Sequence, residues 1–266
     1  MEIARSLKDA ENAFRDFLEF ILERNLGEKW VEKCGLGALR TDKWREQKAL
    51  AEADLVPNSG EEGLLFYAPF EDLYALVNQN WSGDLQSAFT DKEKLLTFLS
   101  IIEKYRHPDL HRRELFVHQK HLIMGVTGEI RAKITAFRSL MEVGKEGFPR
   151  IEYIKDSLGN MWVPGKPRRV KTNLTLYPGM KVEYIVQATD PEELPLEYRI
   201  HGDRWQSGNI LFLEVTDKLI KKQTQINITI RSSRKFHAYP LGYDDRIVFE
   251  YQILPNEQQE VNDKKP

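Results

Sequence analysis

Hydrophobic residues in the first half of the chain recur at steps of three and four positions, the spacing of one helical face. Between Leu7 and Leu22 this pattern predicts an amphipathic helix, and Gly27 follows as a stop signal. The segment 54–63, rich in turn-forming and acidic residues, is predicted to be a loop. The same helical spacing predicts further helices over 30–44, 70–81, 95–105 and 114–140. In the last of these the expected buried stripe is Leu115, Leu122, Val126, Ile130, Ile134 and Phe137.

The fourth predicted helix has a recognisable start and end. Thr90 stands three residues before Glu93, the spacing of a capping box, in which each side chain bonds the backbone N–H of the other residue. The helix then runs through Tyr105 and places Arg106 at its end. Pro108 is expected to interrupt or kink it, because proline cannot donate the helical hydrogen bond.

After residues 144–150 the pattern changes from helical to alternating, so we place a domain boundary there. Eight short strands in about a hundred residues are typical of a β-sandwich. The expected fold class is α+β in two domains, an all-α helical bundle over 1–143 and an all-β sandwich over 151–255, with a disordered tail over 256–266. The predicted strands are 151–154, 160–163, 172–176, 181–188, 196–201, 210–215, 225–231 and 246–254.

The composition and charge of the chain exclude several classes of protein. A chain of 266 residues has room for two domains, and 41% hydrophobic with 30% charged residues is typical of a globular protein. The net charge of -2 gives no overall attraction for nucleic acid, so any binding of a polyanion has to be local. Cys34 is the only cysteine, which excludes an intrachain disulfide and favours a reducing compartment. With no apolar run of membrane-spanning length and no leader pattern, we expect neither membrane insertion nor export, and a cytoplasmic location.

The candidate chemistry is concentrated in one basic segment, residues 104–121, which holds four of the six histidines. A guanidinium is always charged and can hold a scissile phosphate, while an imidazole titrates near neutral pH and can move a proton. Together they suit phosphodiester cleavage without a metal, and the substrate would be RNA because DNA lacks the 2′-hydroxyl. The histidines are His107, His111, His118 and His121, and the basic residues are Lys104, Arg106, Arg112, Arg113 and Lys120, against the acids Asp109 and Glu114.

Two other interpretations of this segment stay open. An arginine and a histidine five positions apart also occur on ordinary solvated helix faces. The pairs His107/His111 and His118/His121 have spacings that place imidazoles on one helical face, yet Pro108 disrupts the first pair and no carboxylate or thiolate completes either set. We therefore expect no metal and no other cofactor, and we expect His118 and His121 to be surface or helix-packing residues.

The order of residues around this segment resembles the HEPN family of small α-helical domains. An aromatic-rich helix start, an Asn-Trp pair, a Phe and an Arg-polar-xxx-His motif follow one another within 66–115. The earlier segment LEFILERNLGEKWVE is similar to the first helix of that family, so the resemblance covers about residues 7–140. The matching positions are Asn80, Trp81, Phe89, Arg106, His107 and His111.

The resemblance implies a helical bundle that forms a homodimer and brings two Arg-His motifs together. Many such domains are metal-independent RNA endonucleases of toxin or antiviral defence systems, whereas others bind nucleotides or partner proteins without cleavage. It implies catalytic roles for Arg106 and His111, with His107 at a position where Asn is usual, and Pro108 as a further departure. The neighbouring residues Lys104, Arg112 and Arg113 are the candidate RNA-binding residues.

The second half resembles an immunoglobulin-like β-sandwich, on the strand and turn pattern of LYPGMKVEYIVQATDPEELPLEYRI and DDRIVFEYQILP. It lacks the paired cysteines of secreted immunoglobulin domains. Such a domain would sense or dock a protein partner. Trp162 and Trp205 are candidates for stacking or for packing, and the basic stretches 166–171 and 231–237 are candidates for RNA contact or for protecting sheet edges.

The function expected from the sequence is a metal-independent endoribonuclease of HEPN type, acting as a toxin or defence effector, with the sandwich as a sensing or docking module. The alternative is a non-catalytic interaction protein, in which the bundle dimerises or binds a nucleotide and the sandwich docks on a partner. A third hypothesis is a carbohydrate-binding protein that uses Trp162 or Trp205.

Overall fold

The structure, a computed structural model, describes residues 3–54, 63–106, 115–145 and 147–255. These residues form two compact units, one helical up to Gly147 and one built of strands from Phe148 onward. The chain is therefore of mixed α+β composition. Among the helices in the described ranges, none combines the length and the apolar character that crossing a membrane requires. The predicted loop over 54–63, Pro108 and the predicted tail over 256–266 lie wholly or almost wholly outside the described residues.

The helical unit is organised around its first helix. In α1 the residues of the predicted apolar stripe, from Leu7 to Leu22, are all buried, which confirms that prediction. This stripe packs against the last helix of the unit, where Phe17 makes an edge-to-face contact with Phe137 at 5.6 Å between ring centroids. The helices described are α1 (Ile3–Leu26), α2 (Trp30–Lys33), α3 (Ala38–Asp54), α4 (Phe70–Gln79), α5 (Gly83–Phe89), α6 (Lys92–Arg106) and α7 (Val117–Val143), with a 3-10 helix at Leu64–Tyr67.

The predicted start of α6 is wrong by one residue. Thr90 has a positive φ of 59° and closes α5, and its hydroxyl donates to the carbonyl of Phe89. Asp91 takes the capping position instead, because its Oδ1 accepts the backbone N–H of Lys94 at 3.0 Å. A residue in the left-handed region that ends one helix is not available to cap the next, so the capping role passes to Asp91.

We expect Asp91→Ala to lower the free energy of unfolding by about 1 kcal/mol, the usual loss for a helix cap. The matched variant Thr90→Ala should cost less, because the Thr90 hydroxyl bonds only the adjacent carbonyl in the structure. Urea unfolding of both variants measures this difference. A larger loss for Thr90→Ala than for Asp91→Ala would favour the capping box.

Two positions of the predicted buried stripe over 114–140 are wrong. Leu115 precedes α7, which begins at Val117, and is only partly buried. The side chain of Leu122 is 44% exposed, whereas Ile123 is fully buried. Val126, Ile130, Ile134 and Phe137 are buried, as predicted. A helix turns by 100° per residue, so Ile123 shares its face with residues three, seven and eleven positions further on and Leu122 lies to the side of it.

The strand unit contains each of the eight predicted strands, with shifted ends, and the second strand is reduced to two residues. Trp162 in that short strand is buried in the core, and its Nε1 donates to the carbonyl of Pro167 at 3.1 Å, so it packs rather than stacks on a ligand. The strands are β1 (Arg150–Asp156), β2 (Met161–Trp162), β3 (Arg169–Leu176), β4 (Lys181–Thr189), β5 (Leu196–Ile200), β6 (Ile210–Glu214), β7 (Lys221–Ser232) and β8 (Asp245–Ile253).

These strands form two four-stranded sheets. The first has the order β2-β1-β4-β6 and is antiparallel throughout. The second has the order β3-β8-β7-β5, with β3 parallel to β8 and the other pairs antiparallel. Alternate residues of both sheets point into one shared hydrophobic core, the arrangement of two packed sheets. The intervening residues form the outward faces.

Candidate anion-binding site

Arg106, the last residue of α6, lies at the edge of a cavity in the helical unit. Its guanidinium carbon is 4.5 Å from the ring centroid of Phe70, and its Nη1 is 3.1 Å from Oε1 of Glu11. The Nε atom is buried, and no residue in the described part of the chain hydrogen-bonds to it. The Arg106 side chain is 37% exposed, so solvent reaches the guanidinium.

A single carboxylate oxygen joins Arg106 to a second arginine. Oε1 of Glu11 also accepts from Nε and Nη2 of Arg15, at 3.0 and 2.9 Å. Glu11 and Arg15 are four positions apart on α1, where the two side chains meet on one helical face. Two guanidiniums therefore share one carboxylate oxygen.

Arg15 occupies the buried end of this cluster, with its side chain only 5% exposed. Its Nη1 donates to the backbone carbonyls of Leu65 and Ala68, which connects α1 to the segment before α4. Burial lowers the pKa of Arg15, and the neighbouring carboxylate of Glu11 acts in the opposite direction. Because an arginine stays protonated at neutral pH, Arg15 contributes a fixed buried charge.

The cavity has a volume of about 730 Å³, which is the size of a small-molecule site. It is lined by residues of α1, α3, the 3-10 helix, the start of α4 and the end of α6. Aromatic side chains, including Trp44 and Phe66, form part of the wall. Cations outnumber acids in the lining, the cations being Lys8, Arg15, Arg40, Lys43 and Arg106 and the acids Glu11, Glu71 and Asp72. An anion is therefore the ligand that this cavity favours.

Asp72, near the start of α4, connects that helix to α3. Its Oδ2 accepts from Nε1 of Trp44 at 2.7 Å, and its Oδ1 accepts from Nε of Arg40 at 2.9 Å. Asp72 is nearly fully buried, so its charge is compensated by these two donors rather than by solvent. Besides Arg40, which pairs with Asp72, the lining contains the cations Lys8 on α1 and Lys43 on α3.

Two of the six predicted site residues, Lys104 and Arg106, lie in the described part of the chain. Arg106 lines the cavity, whereas Lys104 is exposed, lies with its Nζ 5.2 Å from the ring centroid of Tyr105 and does not line the cavity. The other predicted site residues, His107, His111, Arg112 and Arg113, lie outside the described residues.

The two later histidines stand near the start of α7. His118 and His121 are both exposed, and the His118 ring stacks on Phe116 at 5.7 Å with an interplanar angle of 9°. This confirms the prediction that they are surface or packing residues. Across the parts of the chain that the structure covers, three or more His, Cys, Asp or Glu side chains do not come together in an arrangement that could hold a metal.

Most of the cavity is not predictable from the sequence pattern. Glu11, Arg15 and Phe70 reach Arg106 only through the packing of α1, α4 and α6, and Glu11 is 95 positions away from it. One sequence feature could have drawn attention to the site. Arg15 lies between Phe14 and Phe17 in an apolar stripe, and an arginine there needs a buried partner.

Arg106 thus lies at an electropositive, partly aromatic cavity, and in the sequence it is followed directly by His107 and, four positions later, by His111. Comparison with models of protein families, with curated proteins and with solved structures found no match.

Proposed function

We propose that the helical unit is a HEPN-type bundle that binds RNA at this cavity and cleaves it without a metal. The observation that carries the proposal is the position of Arg106, whose guanidinium is open to solvent at an electropositive cavity. His107 and His111 follow it by one and five positions in the sequence. In this proposal the cavity supplies the phosphate site, and the histidines that follow Arg106 in the sequence transfer the protons.

In the proposed reaction Arg106 holds the scissile phosphate and offsets the charge that develops on its oxygens. His111 takes the proton of the ribose 2′-hydroxyl, the 2′-oxygen attacks phosphorus, and the bond to the 5′-oxygen breaks. The leaving oxygen takes a proton from a histidine or from water. The products are a 2′,3′-cyclic phosphate and a free 5′-hydroxyl. His107 positions these groups, and Lys104, Arg112 and Arg113 contact the flanking RNA backbone.

Exposed apolar residues near the start of α7 support dimerisation through the helical unit. Phe116, Val117 and Leu122 are 68%, 67% and 44% exposed. Apolar groups of this size gain free energy when a second copy covers them. The resemblance to the HEPN family likewise implies a homodimer, in which the Arg-His motifs of the two copies come together.

The strand order supports an immunoglobulin-like assignment for the second unit. In the first sheet β4 lies between β1 and β6, as strand B lies between A and E in immunoglobulin domains. In the second sheet β7 lies between β5 and β8, as F lies between C and G. The short β2 is an addition at the edge of the first sheet. In this proposal the sandwich is a sensing or docking module for a partner, and the protein acts in the cytoplasm as a toxin or defence effector.

The second candidate function is a non-catalytic protein whose bundle binds a nucleotide. The specific observation in its favour is the contact between Arg106 and Glu11, which occupies one edge of the guanidinium. A nucleotide phosphate could be held by the remaining donors of Arg106 together with Lys8 and Lys43, with its base against the aromatic wall.

The proposed cleavage is tested by incubating the purified protein with total RNA and transfer RNA in EDTA. We expect wild-type protein to produce fragments with 2′,3′-cyclic phosphate ends, and we expect His111→Ala to lose this activity because it removes the proton acceptor. His121→Ala, the same substitution at an exposed histidine, is the control and should cleave normally. Absence of cleavage by wild type, or equal cleavage by all three, would favour the nucleotide-binding alternative.

A further inference from the structure

The outward face of the second sheet carries an array of basic side chains on four strands, here named the arginine face. Thr229 of β7 pairs with Arg199 of β5 on one side and with Arg246 of β8 on the other, so the two arginines flank it on one face. In β8 the neighbours of Arg246 are buried, which fixes its side chain on the outer side. The arginine face comprises Arg169, Lys171, Arg199, Arg231 and Arg246.

The face has an excess of positive charge on a protein whose net charge is -2. Two carboxylates lie among the five cations. Glu197 pairs with Arg231 at 2.7 Å, and Glu250 lies 3.8 Å from Arg169. Both pairs retain exposed arginine atoms, with side-chain exposures of 30% and 53%. The local field is therefore positive, and a polyanion is the partner whose charge complements it.

Protection of sheet edges does not account for this array. Basic residues on an edge strand discourage pairing with another chain, and β3 and β5 are the two edges of this sheet. Arg231 and Arg246 lie on β7 and β8, the two central strands. Each of these two strands has a neighbouring strand on both sides, so a cation on them does not lie on a sheet edge.

Aromatic rings lie beside the guanidiniums of the arginine face. The guanidinium carbons of Arg199 and Arg231 are each 4.3 Å from the ring centroid of Trp205, and that of Arg246 is 5.7 Å from the ring centroid of Tyr243. Cation–π contacts restrict the orientation of a guanidinium, which lowers the entropy lost when it binds a phosphate. Trp205 is partly exposed, so it can also contact the ligand.

We propose that the arginine face binds the backbone of single-stranded RNA. Four of its five cations are arginines, and a guanidinium matches a phosphate with two parallel hydrogen bonds. A base can stack on Trp205, a contact that an acidic peptide does not use. The face belongs to the strand unit and none of its residues lines the cavity, so the inference goes beyond the proposed cleavage site and does not depend on it.

Binding of a labelled single-stranded oligonucleotide with 2′-O-methyl riboses tests the inference, because this RNA cannot be cleaved by attack of the 2′-oxygen. In the full-length protein, Arg169→Glu with Arg246→Glu should raise Kd at least 10-fold. The slope of log Kd against log salt should fall by about 1.4, or about 0.7 for each lost phosphate contact. The matched control is Lys155→Glu with Lys181→Glu, which makes the same charge change on the outward face of the first sheet.

A loss of binding in the arginine-face variant alone, with an unchanged unfolding temperature, would support the inference. Equal losses in both variants would overturn it in favour of a general charge effect, and so would normal binding by the arginine-face variant. Competition by polyglutamate as effective as that by RNA would assign the face to an acidic peptide instead. Arg106→Ala in the same assay separates the two sites, since a loss confined to that variant would place all RNA binding at the cavity.

Discussion

Arg106→Ala is expected to lower the rate of RNA cleavage by about 100- to 1,000-fold, the range found when one donor to a developing negative charge is removed. The reason is that Arg106 is a solvent-accessible guanidinium of the cavity, and His107 and His111 follow it by one and five positions in the sequence. Removing it should leave the helical unit folded, because a partly exposed ion pair such as Arg106–Glu11 contributes about 1 kcal/mol or less. Single-turnover cleavage in EDTA measures the rate, and thermal unfolding checks the fold.

Two further variants identify what Arg106 supplies. Arg106→Lys keeps the charge but loses the planar pair of donors, so its rate should lie between those of wild type and Arg106→Ala. Arg45→Ala is the matched control, because Arg45 is an exposed arginine of α3 that pairs with Asp42 and does not line the cavity. A wild-type rate in Arg106→Ala would exclude Arg106 from the reaction and with it the proposed mechanism.

Periodicity predicted the strands and the helices α1, α4, α6 and α7, because burial of one face controls both helices and strands. It did not predict α5 or the break between α2 and α3. The stripe of α1 and the alternation of the strands depend on many residues at once, so single exceptions do not change the result. Single-residue features were less predictable. The cap of α6 passed to Asp91 because Thr90 adopts a left-handed conformation at the end of α5, which depends on how two helices join.

The candidate site was predictable only where it is local in sequence. Arg106 was identified from its spacing to His111, whereas its partners come from elements distant along the chain. Arg15 reaches the carbonyls of residues 50 and 53 positions away. Similarly, the basic residues of the second unit formed separate stretches in the sequence, and the strand register places Arg246 beside Thr229 and Arg199. The residues of the cavity and of the arginine face come together only through tertiary packing, so the order of residues along the chain does not predict either group.

The cluster beneath Arg106 also makes a strong prediction about stability. Glu11→Ala is expected to lower the free energy of unfolding by about 3–5 kcal/mol, because it removes the carboxylate that hydrogen-bonds the nearly buried guanidinium of Arg15. Urea unfolding measures the loss. Asp42→Ala serves as the control, since it breaks an exposed carboxylate–arginine pair on α3 and should cost no more than about 1 kcal/mol.

If the uncompensated charge is the cause, removing that charge should restore stability. Arg15→Met keeps a long side chain in the same position, so the double variant Glu11→Ala/Arg15→Met should be at least ~1 kcal/mol more stable than Glu11→Ala alone. The carbonyls of Leu65 and Ala68 lose their donor in this variant, which makes the recovery partial. Losses that simply add in the double variant would instead mean that Glu11 acts through packing, and that the carboxylate does not hold Arg15 and Arg106 in place.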